Sequence, residues 1–521
     1  MNAPENSWSM ADVLRLQART RPQHAAFVYL GEELTYLELN ERANRVANAL
    51  SAAGARCLSR VAVLDFNSCK YFEVFYGCCK ADCTMVGVNA RLAAPEVAYI
   101  LNDSAAAVLF VGREHYAMIG KIEAQLEQVR LIVALDGGHD RWIGYEHWRD
   151  SHSGADPTLA IDPNHDVIQL YTSGTTGHPK GVCHTHRTWR LMADAGRAAG
   201  WGGFGPDSVT FVCLPLFHVA GFNLCTLTLN GGGTIVLTRK MDVEEILQFI
   251  PRYRVTDTLF VPAMILNIVS HPRAAHTDFS SMRLISYGAA PIAEDLLRAA
   301  RALFGCGFVH LYGLTENLGM ATYLPPEMHE PALGKLRSCG RAYPGLALKV
   351  VDSAGAELPA GQVGEIVVRC EWIMRGYWRN DAATAATVKD GWLHTGDAGF
   401  RDADGYLYIH DRVKDMIVTG GENVYPAEVE NALFGHPAIA DVAVVGVPDE
   451  KWGEAVKAIV VLKPGLALDM DDILSFARQR IAGYKLPKSI DVIDALPRNA
   501  SGKVLRRELR EQFWRGRTRQ V

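Results

Sequence analysis

Val167-Ile-Gln-Leu-Tyr-Thr-Ser-Gly-Thr-Thr-Gly-His-Pro-Lys-Gly181 is the stretch on which the reading of this chain turns. Val167, Ile168, Leu170 and Tyr171 form a short apolar, β-favouring run, long enough for one buried strand. A segment dense in Thr, Ser and Gly follows and closes on Pro179, Lys180 and Gly181. Gly174 and Gly177 free the backbone to turn its N–H groups inward. Thr172, Ser173, Thr175 and Thr176 add hydroxyl donors, and Lys180 adds a point charge. Donors converging with one cation suit a polyphosphate. The common P-loop needs Lys and then Ser/Thr after its second Gly, whereas His178-Pro179 intervene here. No G-x-G-x-x-G opens a helix, so a dinucleotide fingerprint is absent as well. A solvated Gly/Ser linker would share the composition. The strand directly before the segment and the Pro-Lys-Gly after it favour a triphosphate loop.

On either side of this loop the chain alternates helix and strand. Upstream, Val61–Phe66, Met85–Asn89 and Ala107–Gly112 read as strands. Ala43–Leu50, Tyr71–Ala81 and Glu96–Asn102 read as helices, and 137–165 reads as a polar surface connection. Downstream, Phe211–His218 reads as an apolar strand ending in a histidine, and Asp242–Ile250 as a helix stopped by Pro251. Thr258–Val261, Arg283–Tyr287 and Val309–Leu311 are further strands. This rhythm predicts largely parallel sheets with helices on their faces. Several strands deliver small or polar residues at their C-terminal ends, where open α/β sheets bind ligands.

From Gly340 to Asp411 the pattern changes to short alternating strands with Asp/Gly turns, a small antiparallel subdomain. The charged run Asp411–Asp415 reads as an interdomain linker. A compact α/β unit follows and closes with Leu496–Lys503 and a basic helix. The expected fold class is therefore α/β. A large N-terminal domain (1–410) has two α/β sheet subdomains plus the antiparallel one, then a hinge (411–415) and a small C-terminal α/β domain (416–521).

A chain of 521 residues with 49% hydrophobic and 21% charged residues and a net charge of −5 has an ordinary globular balance. That balance gives no basic surface for nucleic acid. No signal-peptide pattern and no membrane-length apolar run is present, so a cytoplasmic protein is expected. Its 11 cysteines form no C-x-x-C pair, and His184 and His186 have no cysteines at finger spacing. In a reducing cytoplasm these cysteines are expected as small buried hydrophobes, with no disulfide and no structural zinc.

Two further segments can carry chemistry. Tyr312-Gly-Leu-Thr-Glu316 adds an aromatic face and a carboxylate to the strand ends. A glutamate near a triphosphate is tolerable chiefly where Mg²⁺ bridges the like charges. Asp397 in Gly391-Trp-Leu-His-Thr-Gly-Asp397 stands after a tight turn; it can accept both hydroxyls of a ribose or simply cap the turn.

TSGTTGHPKG (172–181), YGLTE (312–316), GWLHTGD (391–397), DRVKDMIVTGGENVYPAEVE (411–430) and PRNASGK (497–503) follow one another in the order of the acyl-adenylate-forming superfamily. The chain is identified as a member of that superfamily by them, and most resembles fatty-acyl-CoA and aryl-CoA ligases. The resemblance implies an AMP-forming acid–CoA ligase using ATP, Mg²⁺ and coenzyme A. Thr172, Ser173, Gly174, Thr175, Thr176, Gly177 and Lys180 would hold the phosphates. Glu316, with Thr172, would hold Mg²⁺. Gly288, Ala289, Ala290, Pro291 and Tyr312 would form the adenine slot, with Gly313 and Thr315 also among the nucleotide-binding residues. Asp397 would take the ribose, assisted by Arg412, and Lys503 would reach the acyl carboxylate and α-phosphate. The small domain would rotate about Lys414 between half-reactions, bringing Gly420 and Gly421 toward the pantetheine arm. Trp452 would either line that arm or pack in the core.

The matching acyl pocket would comprise His218, Ala220, Phe222, Leu311, Gly313, Gly319 and Met320. Phe222 occupies a position where some long-chain ligases carry an aromatic gate, and Leu311 one where many relatives have glycine. No carboxylate stands in 217–222 to pair with an amino acid's ammonium. A medium- or long-chain fatty acid is the expected substrate, with an aryl acid of the cinnamate type as the alternative. An enzyme loading a carrier protein and a non-catalytic acyl or nucleotide sensor are further alternatives. Small-molecule acids are the expected partners, and a homodimer is compatible with the sequence.

Overall fold

The structure is a computed structural model that describes residues 8–172, 179–200, 203–290, 292–412, 415–419, 422–449, 452–499 and 502–515. Its two largest layers are sheets of eight and nine strands. In the eight-stranded sheet Arg60–Leu64 lies between Thr84–Gly87 and Ala106–Val111, all parallel. Thr84–Gly87 in turn pairs in parallel with Asp166–Thr172, the strand that leads into the phosphate loop. These strands are buried on both faces, as their near-continuous Val/Ala/Leu composition requires.

Helices cover the sheets because their sequences carry one apolar stripe and a defined start. Tyr36–Ala52 begins with a capping box: Glu38 N–H donates to Thr35 Oγ1 (3.2 Å), and Thr35 N–H donates to Glu38 Oε2 (2.8 Å). Lys70–Lys80 is buried from Tyr71 onward, so the charges of Glu73 and Lys80 must be paired. Glu73 meets Arg149 at 2.9 Å and Arg42 at 3.1 Å, and Lys80 meets Asp156 at 2.6 Å.

The nine-stranded sheet carries Val209–Val212, Asp257–Phe260, Leu284–Gly288 and Gly307–Tyr312 as parallel neighbours, then the antiparallel Thr322–Leu324. One apolar core runs between the two sheets. A five-stranded sheet built on Gly364–Arg369 and Trp392–Arg401 is antiparallel. The C-terminal sheet is centred on Ile439–Asp449 and Gly453–Leu462, with helices Pro426–Phe434, Met470–Arg478 and Arg506–Trp514. Among the described residues no helix is long and apolar enough to cross a membrane.

Four local expectations are corrected. The strand at 211 ends at Val212, because Pro215 cannot continue the ladder, and His218 instead precedes the helix Val219–Gly231. Pro251 does not stop its helix, which runs Val243–Tyr253; within the last turn a proline removes one hydrogen bond only. Residues 137–165 are more than a surface connection: helix Tyr145–Asp150 buries Tyr145 and Trp148. Asp397 sits inside the strand Trp392–Arg401, opposite Arg412, rather than after a turn.

Candidate functional site

The loop at 173–178 is spanned by an antiparallel pair, Asp166–Thr172 with Lys180–Thr185, in which Thr172 stands opposite Lys180. A hydroxyl-bearing and an ammonium-bearing residue are therefore paired directly before and after residues 173–178. The short strand Gly376–Tyr377 adds to the outer edge, with Tyr377 opposite Val182. Tyr377 links the pieces. Its hydroxyl donates to Glu316 Oε1 (2.8 Å), and Lys180 Nζ lies 5.0 Å from its ring centroid. Glu316 is buried, and its carbonyl accepts from Met374 N–H (2.7 Å). The carbonyl of Thr315 accepts from His184 Nε2 (2.7 Å). Burial holds the His184 imidazole neutral by pushing its pKa down to about 4. Among the described residues no lysine, arginine or histidine pairs with Glu316. A buried carboxylate without a basic partner fits a hard cation that completes its shell with phosphate oxygens.

A cavity of about 490 Å³ opens at the strand ends of the nine-stranded sheet, a size suited to a small ligand. Ala289, Ala290, Tyr312, Gly313, Asp397 and Lys503 all line it. The Tyr312 hydroxyl donates to Asp397 Oδ2 (2.7 Å), which fixes both groups. Ala289 adopts φ +64°, left-handed backbone that costs an alanine of order 1 kcal/mol or more and that clusters at ligand sites. Gly313 is required by close packing: a Cβ there would lie 2.1 Å from the carbonyl carbon of Gly319. Lys503 arrives from the C-terminal unit on a turn closed by Asn499, whose side chain accepts from Lys503 N–H (2.8 Å). Arg498 braces the same turn, donating to the Gly502 carbonyl (2.7 Å) and to Asp441 (2.6 Å).

The expected acyl-pocket residues divide. Asn223 Nδ2 donates to the Leu318 carbonyl (2.7 Å), docking the helix Val219–Gly231, which follows His218 and carries Ala220, against the loop of Gly319 and Met320. Leu311 is half-buried and borders the 490 Å³ cavity. Phe222 is different. It is fully buried, stacked on Phe72 at 6.2 Å and edge-on to Phe75 at 4.9 Å. In this structure Phe222 is therefore part of the apolar core rather than exposed at an entrance. Trp452 is 42% exposed, which excludes its packing in the core. Ser173, Gly174, Thr175, Thr176, Gly177, Pro291, Lys414, Gly420 and Gly421, and the side chain of Arg412, lie outside the described residues.

Several cavity residues escaped the sequence reading. Phe400 and Tyr408 stack across paired strands (4.9 Å) and line the cavity with Arg337. Tyr377 was missed as well. Its only signal was the cluster Gly376-Tyr377-Trp378, which fits any edge strand.

The AMP-binding enzyme family matches residues 14–378, and the AMP-binding enzyme C-terminal domain matches 428–503. The chain belongs to the AMP-binding enzyme family. It is thereby an ATP-dependent, AMP-forming acyl ligase of the acyl-adenylate-forming superfamily. It is 40% identical to a fatty acid–[acyl-carrier-protein] ligase ScoC of Streptomyces coeruleorubidus, over 98% of each chain. It is 38% identical to a feruloyl-CoA synthase of Amycolatopsis sp, over 95% of this chain and 97% of that protein. Among solved structures it is similar to the anthranilate CoA ligase AuaEII in complex with anthranoyl-AMP (TM-score 0.92, 29% identity, 98% of each chain).

Proposed function

We propose that this AMP-binding enzyme joins a medium- or long-chain fatty acid to coenzyme A. The observation that carries the reading is the convergence of Tyr312, Asp397 and Lys503 on one cavity, although they are far apart in the sequence. In the first half-reaction a carboxylate oxygen attacks the α-phosphorus of ATP, the bond to the β-phosphate oxygen breaks, and pyrophosphate leaves. No base is needed; the site must neutralise two anions and a developing third. Lys180 and Lys503 are the cations suited to that, while Tyr312 and Asp397 hold the nucleoside. Glu316 and Thr172 would hold Mg²⁺, which neutralises phosphate charge when bound. In the second half-reaction a thiolate attacks the acyl carbonyl and AMP departs.

The fatty-acid assignment rests on an uncharged acyl wall. Burial, reinforced by the charge of Arg91, lowers the pKa of His218 to about 4, so at neutral pH its imidazole carries no charge. An aryl acid would suit the same wall, and the feruloyl-CoA synthase supports keeping it as the alternative. The name of ScoC favours one further reading, transfer to a carrier-protein thiol.

The test measures acid-dependent pyrophosphate release from ATP across a chain-length series and ferulate-type acids, with coenzyme A, with a carrier protein, or with neither. Lys503→Ala should slow adenylation by at least about 10²-fold while sparing thioester formation from supplied acyl-adenylate. Release with no acid would defeat the ligase reading, and equal loss of both half-reactions would remove the role of Lys503.

A further inference from the structure

On the far side of the strand that leads to the phosphate loop, three side chains from separate turns meet. Cys57 precedes the strand Arg60–Leu64, Asp82 precedes Thr84–Gly87, and His165 precedes Asp166–Thr172. Their donor atoms all lie within 4.8 Å of one another. His165 Nδ1 is 2.9 and 3.1 Å from the two carboxylate oxygens of Asp82 and 3.7 Å from Cys57 Sγ.

A single ring proton on Nδ1 can be given to only one of these acceptors. A cation in its place can bond to all three. Zinc-class bond lengths at tetrahedral angles put ligand–ligand edges at roughly 3.3–3.6 Å, and the His165–Asp82 (2.9 and 3.1 Å) and His165–Cys57 (3.7 Å) separations come within about half an ångström of that. The charges also match, because a thiolate, a carboxylate and a neutral imidazole balance a divalent ion. On the opposite ring nitrogen, Asp162 Oδ2 lies 4.0 Å from Nε2, beyond direct hydrogen-bond distance but on the side where a carboxylate can orient the ring. Among the described residues no lysine or arginine pairs with Asp82. The other place where three such groups converge, Asp65, Glu114 and Asp136, already holds the Arg239 guanidinium, 2.9 Å from Asp65 and 2.5 Å from Glu114.

We infer that Cys57, Asp82 and His165 form a binding site for a divalent cation of the zinc class, with a fourth position open to solvent at the exposed Cys57. The bound ion would tie together the turns that start three adjacent parallel strands, the last of which ends at Thr172.

Full-length protein is stripped with a chelator and titrated with Co²⁺ alone. A thiolate-to-cobalt charge-transfer band in the near ultraviolet should saturate at one equivalent, and Zn²⁺ should displace it. Cys57→Ser should abolish the band. Asp162→Asn, which removes a nearby carboxylate not bonded to the ring, should weaken cobalt affinity by less than about tenfold. Asp82 has φ +55°, a conformation that asparagine tolerates, so Asp82→Asn keeps the turn and removes only the carboxylate. It should lower affinity more than Asp162→Asn does. Zn²⁺ should raise the thermal midpoint of wild type but not of Cys57→Ser, whose circular dichroism should match wild type. A band that survives in Cys57→Ser, absence of any band, or an equal thermal response of both proteins would overturn the site.

Discussion

Tyr377 is the residue whose role depends most on its two neighbours. Its hydroxyl holds one oxygen of Glu316, and its ring lies under Lys180. Tyr377→Phe keeps the ring and deletes a hydrogen bond to a charged group, worth about 1.5–3 kcal/mol. Pyrophosphate release should fall roughly tenfold or more, with a raised Mg²⁺ requirement, in a stopped-flow assay of the first turnover. Wild-type metal dependence in the phenylalanine variant would show that Glu316 is positioned by other groups. Phe222 teaches the converse at the same scale. Its residue type and place in the sequence suited a gate, and its packing against Phe72 and Phe75 makes it core.

Between elements, the site depends on how closely two backbone segments approach. The strand Gly307–Tyr312 hands the chain to Gly313, which touches Gly319 on the returning loop. A methyl group at Gly313 would sit 2.1 Å from backbone carbon, where no side chain can yield. Gly313→Ala should displace the loop, cost about 1–3 kcal/mol as overpacking does, and weaken binding of a non-hydrolysable ATP analogue by roughly tenfold or more. Gly305→Ala supplies the control. Gly305 has positive φ (+63°), which Gly313 does not, and nothing lies within 4 Å of its missing Cβ. It should lose about 1 kcal/mol of stability and keep nucleotide affinity, measured by titration calorimetry. Equal affinities in the two variants would mean that the 313–319 contact does not shape the nucleotide site. The succession of strands and helices was legible in the sequence at this scale, since it follows from local periodicity. This contact was not, because nothing in either glycine's neighbourhood encodes its partner.

For the whole molecule, buried histidines set the acid limit. Burial lowers the pKa of His184, His186, His218 and His329 to about 4 and that of His310 to about 3. In the unfolded chain each titrates near 6.5. The unfolded state therefore binds more protons between pH 6.5 and about 4, so stability falls as pH drops through that window and is fully present above it. Each site contributes up to roughly 1.4 kcal/mol per pH unit. Asp65 opposes them: burial raises its carboxyl to about 6, so the folded state gains protons first as pH falls. Five groups against one should give net proton uptake on urea unfolding at pH 5, and His184→Gln should reduce it by about one proton. Uptake near zero would mean that these histidines are solvated in the folded state.

The sequence by itself determined the α/β class, the succession of strands and helices, the family, and the identity of Thr172, Lys180, Glu316, Asp397 and Lys503 as the residues to watch. The class and the succession of elements follow from short-range causes, periodicity and turn chemistry; the family and the five residues follow from the order of the matched motifs. Tertiary structure alone decided which residues share a cavity, that Tyr377 joins Glu316 to Lys180, that Phe222 is core, and that Cys57, Asp82 and His165 meet. The cysteine spacing gave no zinc pattern, because those ligands come from the starts of three parallel strands rather than from one finger. Parallel strands bring distant residues side by side through crossovers whose lengths carry no record of the pairing. Convergence is therefore set by sheet order and packing, which belong to the fold and not to any local stretch.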